Sequence, residues 1–289
     1  MSSTEASLPP SPAIEREDPN LPPGRRILLA GATGRLGRAF AVLAIGRGWT
    51  VSGAVAGASS RQLGRPLAEI GVRGCETLVR PPSDLSALLE EADVYVSAAP
   101  VEAERTNLRC VASSGRPAVV ATTGFTADDR PWLDDVAGRI PLVMDANFSI
   151  GMHWLASAIA SLGSLPQDFD VSVLEAHRSG KRDRPSGTAL ALAARAHRAR
   201  AGVAGVVPER SPVAAVEVAS LRSAELPGIH QVWIGGPHEL LRVEHLVLDR
   251  SAFAAGMVRA VEWVCDAGRR PAPGRYTLSD VLAADRRMA

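Results

Sequence analysis

At 289 residues the chain is long enough for one large or two medium domains with ample core. A hydrophobic share of 46% and a charged share of 22% are ordinary for a globular protein, and a net charge of +1 leaves no electrostatic footprint for nucleic acid or an anionic membrane. Cys75, Cys110 and Cys265 are far apart and lack CxxC spacing, which excludes a disulfide framework or a cysteine zinc site, and no apolar run approaches the ~20 residues of a membrane-spanning helix.

Residues 1–24 are rich in Pro, Ser and acidic side chains and lack the apolar core of a signal peptide. They read as a disordered extension of a cytoplasmic protein. Order begins at Ile27 to Ala30, a fully apolar run of the kind that forms a central strand buried on both faces. A glycine-rich turn follows, then an apolar helix from Leu36 to Ile45 closed by Gly46 and Gly48, then a strand from Thr50 to Val55. The alternation continues with helices over Leu85 to Glu91, Arg105 to Ser113 and Asp129 to Ala137, and strands over Val94 to Ser97, Ala118 to Thr122 and Leu142 to Met144. Strands alternating with helices imply an α/β fold with a parallel, doubly wound sheet.

The texture changes after Asn147. Phe169 to His177 alternates with period two and sets Val171, Val173, Glu175 and His177 on one face. An alanine-rich helix from Thr188 to Arg200 ends at Gly202. Strand-like stretches follow at Val213 to Ser220, His230 to Ile234 and Glu239 to Val247, which suggests a mixed sheet with helices on one face. The last 39 residues, led by SAFAAGMVRAVEWV and closing with YTLSDVLAADR, are helical again.

Gly31-Ala32-Thr33-Gly34-Arg35-Leu36-Gly37 stands between a strand and a helix, where a phosphate-binding turn belongs. Gly31 allows the tight turn, Gly34 lets the backbone approach a pyrophosphate, and Gly37 lets the helix pack on its strand. The second strand ends at Ala56 and Gly57 without a carboxylate to grip a ribose. That leans toward NADPH, with Arg35 or Arg61 as phosphate partners, or toward an adenosine end that is loosely held.

Of the 32 Lys and Arg residues one alone is a lysine, Lys181, in EAHRSGKRDRPSGTA (175 to 189). Arginine cannot donate a proton near neutrality and lysine can, so a lone lysine among arginines points to a group that must be an amine. His177 ends a strand before it, Arg178 adds a guanidinium, and Ser186 caps a helix whose Gly187 and Thr188 amides face outward. An imidazole, an ammonium and an anion-binding helix end in one small region suit a small carboxylate substrate with a proton donor beside it. His153 reads as a packed core histidine, His197 as part of a solvated helix face, and His238 and His245 share no metal spacing with carboxylates, so no metal is expected.

The same stretch resembles the EAHHxxKxDAPSGTA signature of the dihydrodipicolinate reductase family. The likeness continues in order through GATGRLGR, ATTGF (121 to 125), ANFSIG (146 to 151), RSAELPGIH (222 to 230) and YTLSDVL (276 to 282). The resemblance implies a Rossmann-like domain over 25–147 and 253–289, with an inserted α+β substrate and oligomerisation domain at 148–252. It implies NADPH or NADH as cofactor, hydride transfer to a cyclic imine or unsaturated carboxylate, and a homotetramer. His177 and Lys181 then occupy the catalytic positions, and Thr123, Arg178, Gly187 and Thr188 the substrate-binding ones. The cofactor positions are Gly31 to Gly37, Ala98, Ala121, Thr122, Thr123, Ala146, Asn147 and Phe148.

Departures from the pattern cluster at the implied cleft. Arg178 replaces the second histidine, Ile229 the acid of GEH, Ala121 the first glycine of GTTGF, and Ser97-Ala98-Ala99-Pro100 the DFT(R/K)P loop. Three readings follow: a reductase of the family substrate, a reductase repurposed for another cyclic imine, or an acid–base catalyst or binding protein that keeps the fold without hydride transfer.

Overall fold

The computed structural model describes residues 25–202, 216–268 and 270–286. The extension at 1–24 and the first residues of the expected strand at 213–215 lie outside them. Seven strands, β1 (Arg26–Ala30), β2 (Thr50–Val55), β3 (Val79–Arg80), β4 (Val94–Ser97), β5 (Ala118–Val120), β6 (Pro141–Met144) and β11 (Gly274–Tyr276), form one sheet. Its order is β11-β6-β5-β4-β1-β2-β3 and every pairing is parallel. The parallel, doubly wound sheet read from the alternation is therefore present.

Two cores flank this sheet. Ile27, Leu29 and Val96 point toward α1 (Arg35–Gly46), α7 (Ser251–Val264) and α8 (Leu278–Arg286). Leu28, Tyr95 and Val120 point toward α2 (Leu85–Glu90), α3 (Val101–Ser114) and α4 (Arg130–Arg139). Apolar side chains on both faces are why these strands read as short unbroken hydrophobic runs.

The second sheet is mixed. β7 (Asp170–His177) lies between β8 (Glu217–Arg222), parallel to it, and β9 (Ile229–Gly235), antiparallel; β10 (Leu240–Leu246) extends the edge. Val171, Val173, Val232 and Ile234 pack on α5 (Ile150–Ile159) and α6 (Gly187–Ala201). The opposite face carries no helix among the described residues. Among the described residues no helix is long and apolar enough to cross a membrane.

Three expectations need correction. The third helix begins at Val101, four residues early, because Pro100 sits at its N-cap with extended backbone and Glu104, expected outside the helix, is buried inside it. The fifth strand stops at Val120, and Thr122 has left the sheet to bond the Ala99 carbonyl. His153 is not simply packed core. One ring nitrogen meets the Asn147 carbonyl and the other Ser279 of α8, both at 2.8 Å.

Candidate active site

Alternation along β7 turns both Glu175 and His177 toward the helix-covered side. Glu175 is fully buried, and the parallel register pairs His177 with Arg222 of β8. Arg222 Nη2 lies 2.8 Å from one Glu175 oxygen, and His177 Nδ1 bonds the other. Burial pushes the Glu175 carboxyl upward, but the Arg222 guanidinium, with Ser220 and His177 beside it, outweighs burial and holds the group below its usual range. A carboxylate can only accept, so His177 Nδ1 carries the hydrogen.

Desolvation is the main influence on His177, reinforced by the Lys181 and Arg222 charges, and it outweighs Glu175 to hold the imidazole below its ordinary pKa. The ring is therefore neutral at pH 7, with Nε2 an unprotonated acceptor. A side chain on Gly228 would stand 3.4 Å from that nitrogen. His230 meets the His177 ring edge-on at 5.1 Å. Burial, followed by the neighbouring His177 and His245, lowers His230 to about 3, and its Nε2 stands 3.4 Å from Ser186 Oγ.

Past the strand, Ser179 N–H bonds the Ala224 carbonyl and Lys181 N–H the Arg178 carbonyl, which folds the turn back on itself. Lys181 Nζ lies 2.8 Å from Asp183 Oδ2. Burial works to raise the Asp183 carboxyl, but Lys181 and the amide of Gly187 prevail and hold it below its usual range. A carboxylate thus already rests against the ammonium and the start of α6. Ser186 caps that helix through Ala189 N–H at 3.2 Å.

The nucleotide side is built at β1 and α1. Gly31 has φ +72°, and a Cβ there would stand 2.6 Å from the Ala98 carbonyl carbon; at Gly37 it would stand 2.3 Å from Gly31 O. Only glycine fits either place. Gly34 is the N-cap of α1, no side chain caps the helix, and no acid stands in its first turn. The first-turn amides of Arg35, Leu36 and Gly37 have no intrahelical partner. Uncapped amides over a glycine cradle fit the pyrophosphate of a nicotinamide dinucleotide. Burial and then the charges of Arg35 and Arg178 depress the Arg250 guanidinium, so three arginines gather at this end, none with an acidic partner among the described residues.

The two sides meet. Asn147 Nδ2, beyond β6, lies 3.4 Å from Thr188 Oγ1 at the start of α6. Ala32 is buried and Thr33 half-buried, Ala98 stands against Gly31, Ala121 N–H bonds the Ser97 carbonyl at 2.8 Å, and Thr123 and Ala146 are exposed. Two expected cofactor residues have their side chains otherwise engaged. Phe148 is 2% exposed and packs in the core, and the Thr122 hydroxyl braces the loop at Ala99. Each can offer a ligand only its main chain. Glu175, Arg222, His230 and Arg250 were not foreseen. The period-two pattern already placed Glu175 on the His177 face, and the family-like run RSAELPGIH begins at Arg222 and ends at His230, but no local signal marks Arg250.

The family description "Dihydrodipicolinate reductase, N-terminus" matches residues 25–148, and "Dihydrodipicolinate reductase, C-terminus" matches 151–282. The chain is 36% identical over 275 residues to a 4-hydroxy-tetrahydrodipicolinate reductase of Rhodopseudomonas palustris (strain BisB18), covering 89% of this chain and 97% of that one. It is 31% identical over 267 residues to the enzyme of the same name from Archaeoglobus fulgidus, covering 89% and 99%. Among solved structures, a dipicolinate-bound dihydrodipicolinate reductase from Paenisporosarcina sp. TG-14 shares the fold, with a TM-score of 0.67 at 19% identity over 89% of this chain and 98% of that one.

Proposed function

The chain belongs to the dihydrodipicolinate reductase family, and from that premise we propose that it reduces a cyclic imine or unsaturated carboxylate between its two sheets. Membership makes it an NAD(P)H-dependent oxidoreductase. When bound, the dihydronicotinamide supplies hydride. Gly31 to Gly37 hold the pyrophosphate at the start of α1, and Ala98, Ala121 to Thr123 and Ala146 to Phe148 line the approach. The absence of a carboxylate at Ala56 and Gly57 favours NADPH, with Arg35 or Arg61 on its 2′-phosphate.

The observation that carries this reading is the His177 imidazole, held neutral on a buried Glu175, with the lone lysine beside it where Asn147 touches Thr188. His177 Nε2 can accept but not donate while the ring is neutral. Lys181 therefore holds the proton that the reduced nitrogen takes up. The donors that now hold Asp183, the Lys181 ammonium and the Gly187 amide, are those a substrate carboxylate takes, with Thr188 next to them.

Arg178 favours a second reading, in which the ring is a different cyclic imine. It brings a permanent cation, grouped with Arg250, where the family signature has a second histidine. We assign the insertion at 148–252 to substrate binding and to assembly of a homo-oligomer, and 25–147 with 253–289 to the nucleotide. Fluorescence titration with NADPH and NADH, with and without pyridine-2,6-dicarboxylate, tests the whole. Nucleotide binding that tightens with the diacid supports the family substrate. Binding indifferent to the diacid moves the substrate to another ring, and binding of neither nucleotide refutes the reading.

A further inference from the structure

The loop Ser97–Pro100 supplies the backbone that a side chain on Gly31 would strike, at Ala98 and Ala99, and it carries no side chain larger than proline. What fixes it lies behind it. Ala98 N–H bonds the Ala30 carbonyl at 3.0 Å, the Ala99 carbonyl accepts from Thr122 at 2.8 Å, and Ala99 N–H bonds Ser97 Oγ at 3.2 Å. Ser97 Oγ in turn donates to Glu104 Oε2 at 2.5 Å, and Tyr95 donates to the same oxygen at 3.0 Å. Asn107 Nδ2 completes the chain at 3.1 Å from the phenol oxygen.

Tyr95, Ser97 and Glu104 are all 0% exposed. A buried carboxyl with no cation against it is strongly unfavourable in a core that leucine could fill. A merely satisfied core polar group would have both oxygens bonded, yet Glu104 Oε1 has no hydrogen-bond partner. All of its bonding is spent on the two β4 side chains beneath the loop.

We propose that Glu104 is a positioning residue for the nicotinamide nucleotide, setting through Ser97 where the Ala98–Ala99 backbone lies against Gly31. The inference rests on the reading that this turn takes the nucleotide. Burial is the main influence on Glu104 and pushes its carboxyl up to about 7. Ionised, it accepts charge-assisted bonds from Ser97 and Tyr95; protonated, those bonds weaken and the loop loosens. Nucleotide affinity therefore rises as pH climbs through neutrality.

The groups facing Glu104 leave it as the one that titrates there. From β4, Tyr95 is held well above the usual phenol range by burial and then by the Glu104 charge, and Ser97 is neutral. From α3, Asn107 is neutral, and the next residue along, Arg105, turns away to a two-bond pair with Asp129 before α4.

The test is titration of the full-length protein with NADH, which has no 2′-phosphate to ionise in this range, at pH 6 and pH 8. Glu104→Gln is expected to weaken binding about five- to tenfold at pH 8 and less than about twofold at pH 6, the difference one charge-assisted bond makes. Ser97→Ala should reproduce the loss with Glu104 intact, and the double variant should add nothing to it. Should E104Q not fold, S97A decides alone: a weakening confined to pH 8 supports the proposal and unchanged binding overturns it. Wild-type affinity for both E104Q and S97A, or losses that add, overturns it as well. A wild-type protein that binds neither NADH nor NADPH overturns the nucleotide reading and this inference together; one that binds beside unchanged variants overturns this inference alone.

Discussion

Lys181 is where a single side chain has the most to say. Its Nδ1–H committed to Glu175, a neutral His177 has no proton to give from Nε2, which is why we propose the ammonium beside it as the donor. Lys181→Arg keeps the charge and removes the donor. We expect kcat to fall by about 10²–10⁴, the usual worth of general acid catalysis, while KM for the carboxylate substrate changes little; steady-state kinetics at pH 7.5 reads both. Turnover near wild type would reduce Lys181 to electrostatics. Because His177 is held below the ordinary histidine value, its neutral form persists through pH 7–8, and an acid limb in kcat/KM should lie below about 6.5. Lys181 stood out in the sequence because it is alone among arginines. Arg222 opens the family-like run RSAELPGIH, but its partner could not be read there, since it reaches Glu175 only through the parallel register that sets it opposite His177, and that register is a property of the folded sheet.

At the scale of elements, periodicity carried most of the reading. α7 spans the same Ser251–Val264 as its apolar pattern, and β2 the same Thr50–Val55. β11 was illegible because three residues hold no period, and its pairing with β6 supplies what the pattern lacks. Glu104 hid the first turn of α3 for a related reason: a buried carboxyl reads as solvated until the fold shows Ser97 and Tyr95 against it. The same holds for the anchoring of α8. His153 bridges Asn147 and Ser279, and Asp145 lies 3.4 Å from its ring while accepting from Leu278 N–H at 3.1 Å. Burial lowers the His153 pKa, but Asp145 prevails and raises it above the unfolded value. A raised histidine contributes stability that is fully present below about pH 6.5 and is lost as pH rises through the folded pKa. His153→Ala should therefore lower Tm by roughly 2–4 °C for each ~1 kcal/mol lost, and by more at pH 5.5 than at pH 8. Equal losses at both pH values in a thermal melt would leave only the neutral hydrogen bonds.

For the molecule as a whole, the two sheets differ in what covers them. Among the described residues, helices cover both faces of the parallel sheet but only one face of the mixed sheet. The open face presents Leu174, Leu221, Ile229, Trp233, Leu240 and Leu246; Leu221 is 50% and Leu240 58% exposed. Period-two alternation in β7 and β9 puts apolar side chains on both faces, a pattern that suits a strand with something packed on each side. Gln231, Arg242 and Glu244 stand among these on the same face, but exposed leucines and a tryptophan there on a lone chain are a liability in water, and a second copy laid sheet to sheet at about 10 Å covers them. The homo-oligomer proposed for this domain therefore has a definite surface. Sedimentation equilibrium of the wild type should give a multiple of 30.3 kDa, and Leu221→Glu with Leu240→Glu should return the mass to 30.3 kDa. Neither leucine lies in the His177–Lys181 cleft, so the monomeric variant should still bind NADPH, and loss of binding on dissociation would mean that a neighbouring copy completes the nucleotide site. A wild type that sediments as a single chain would leave the open face without this partner and refute the assembly.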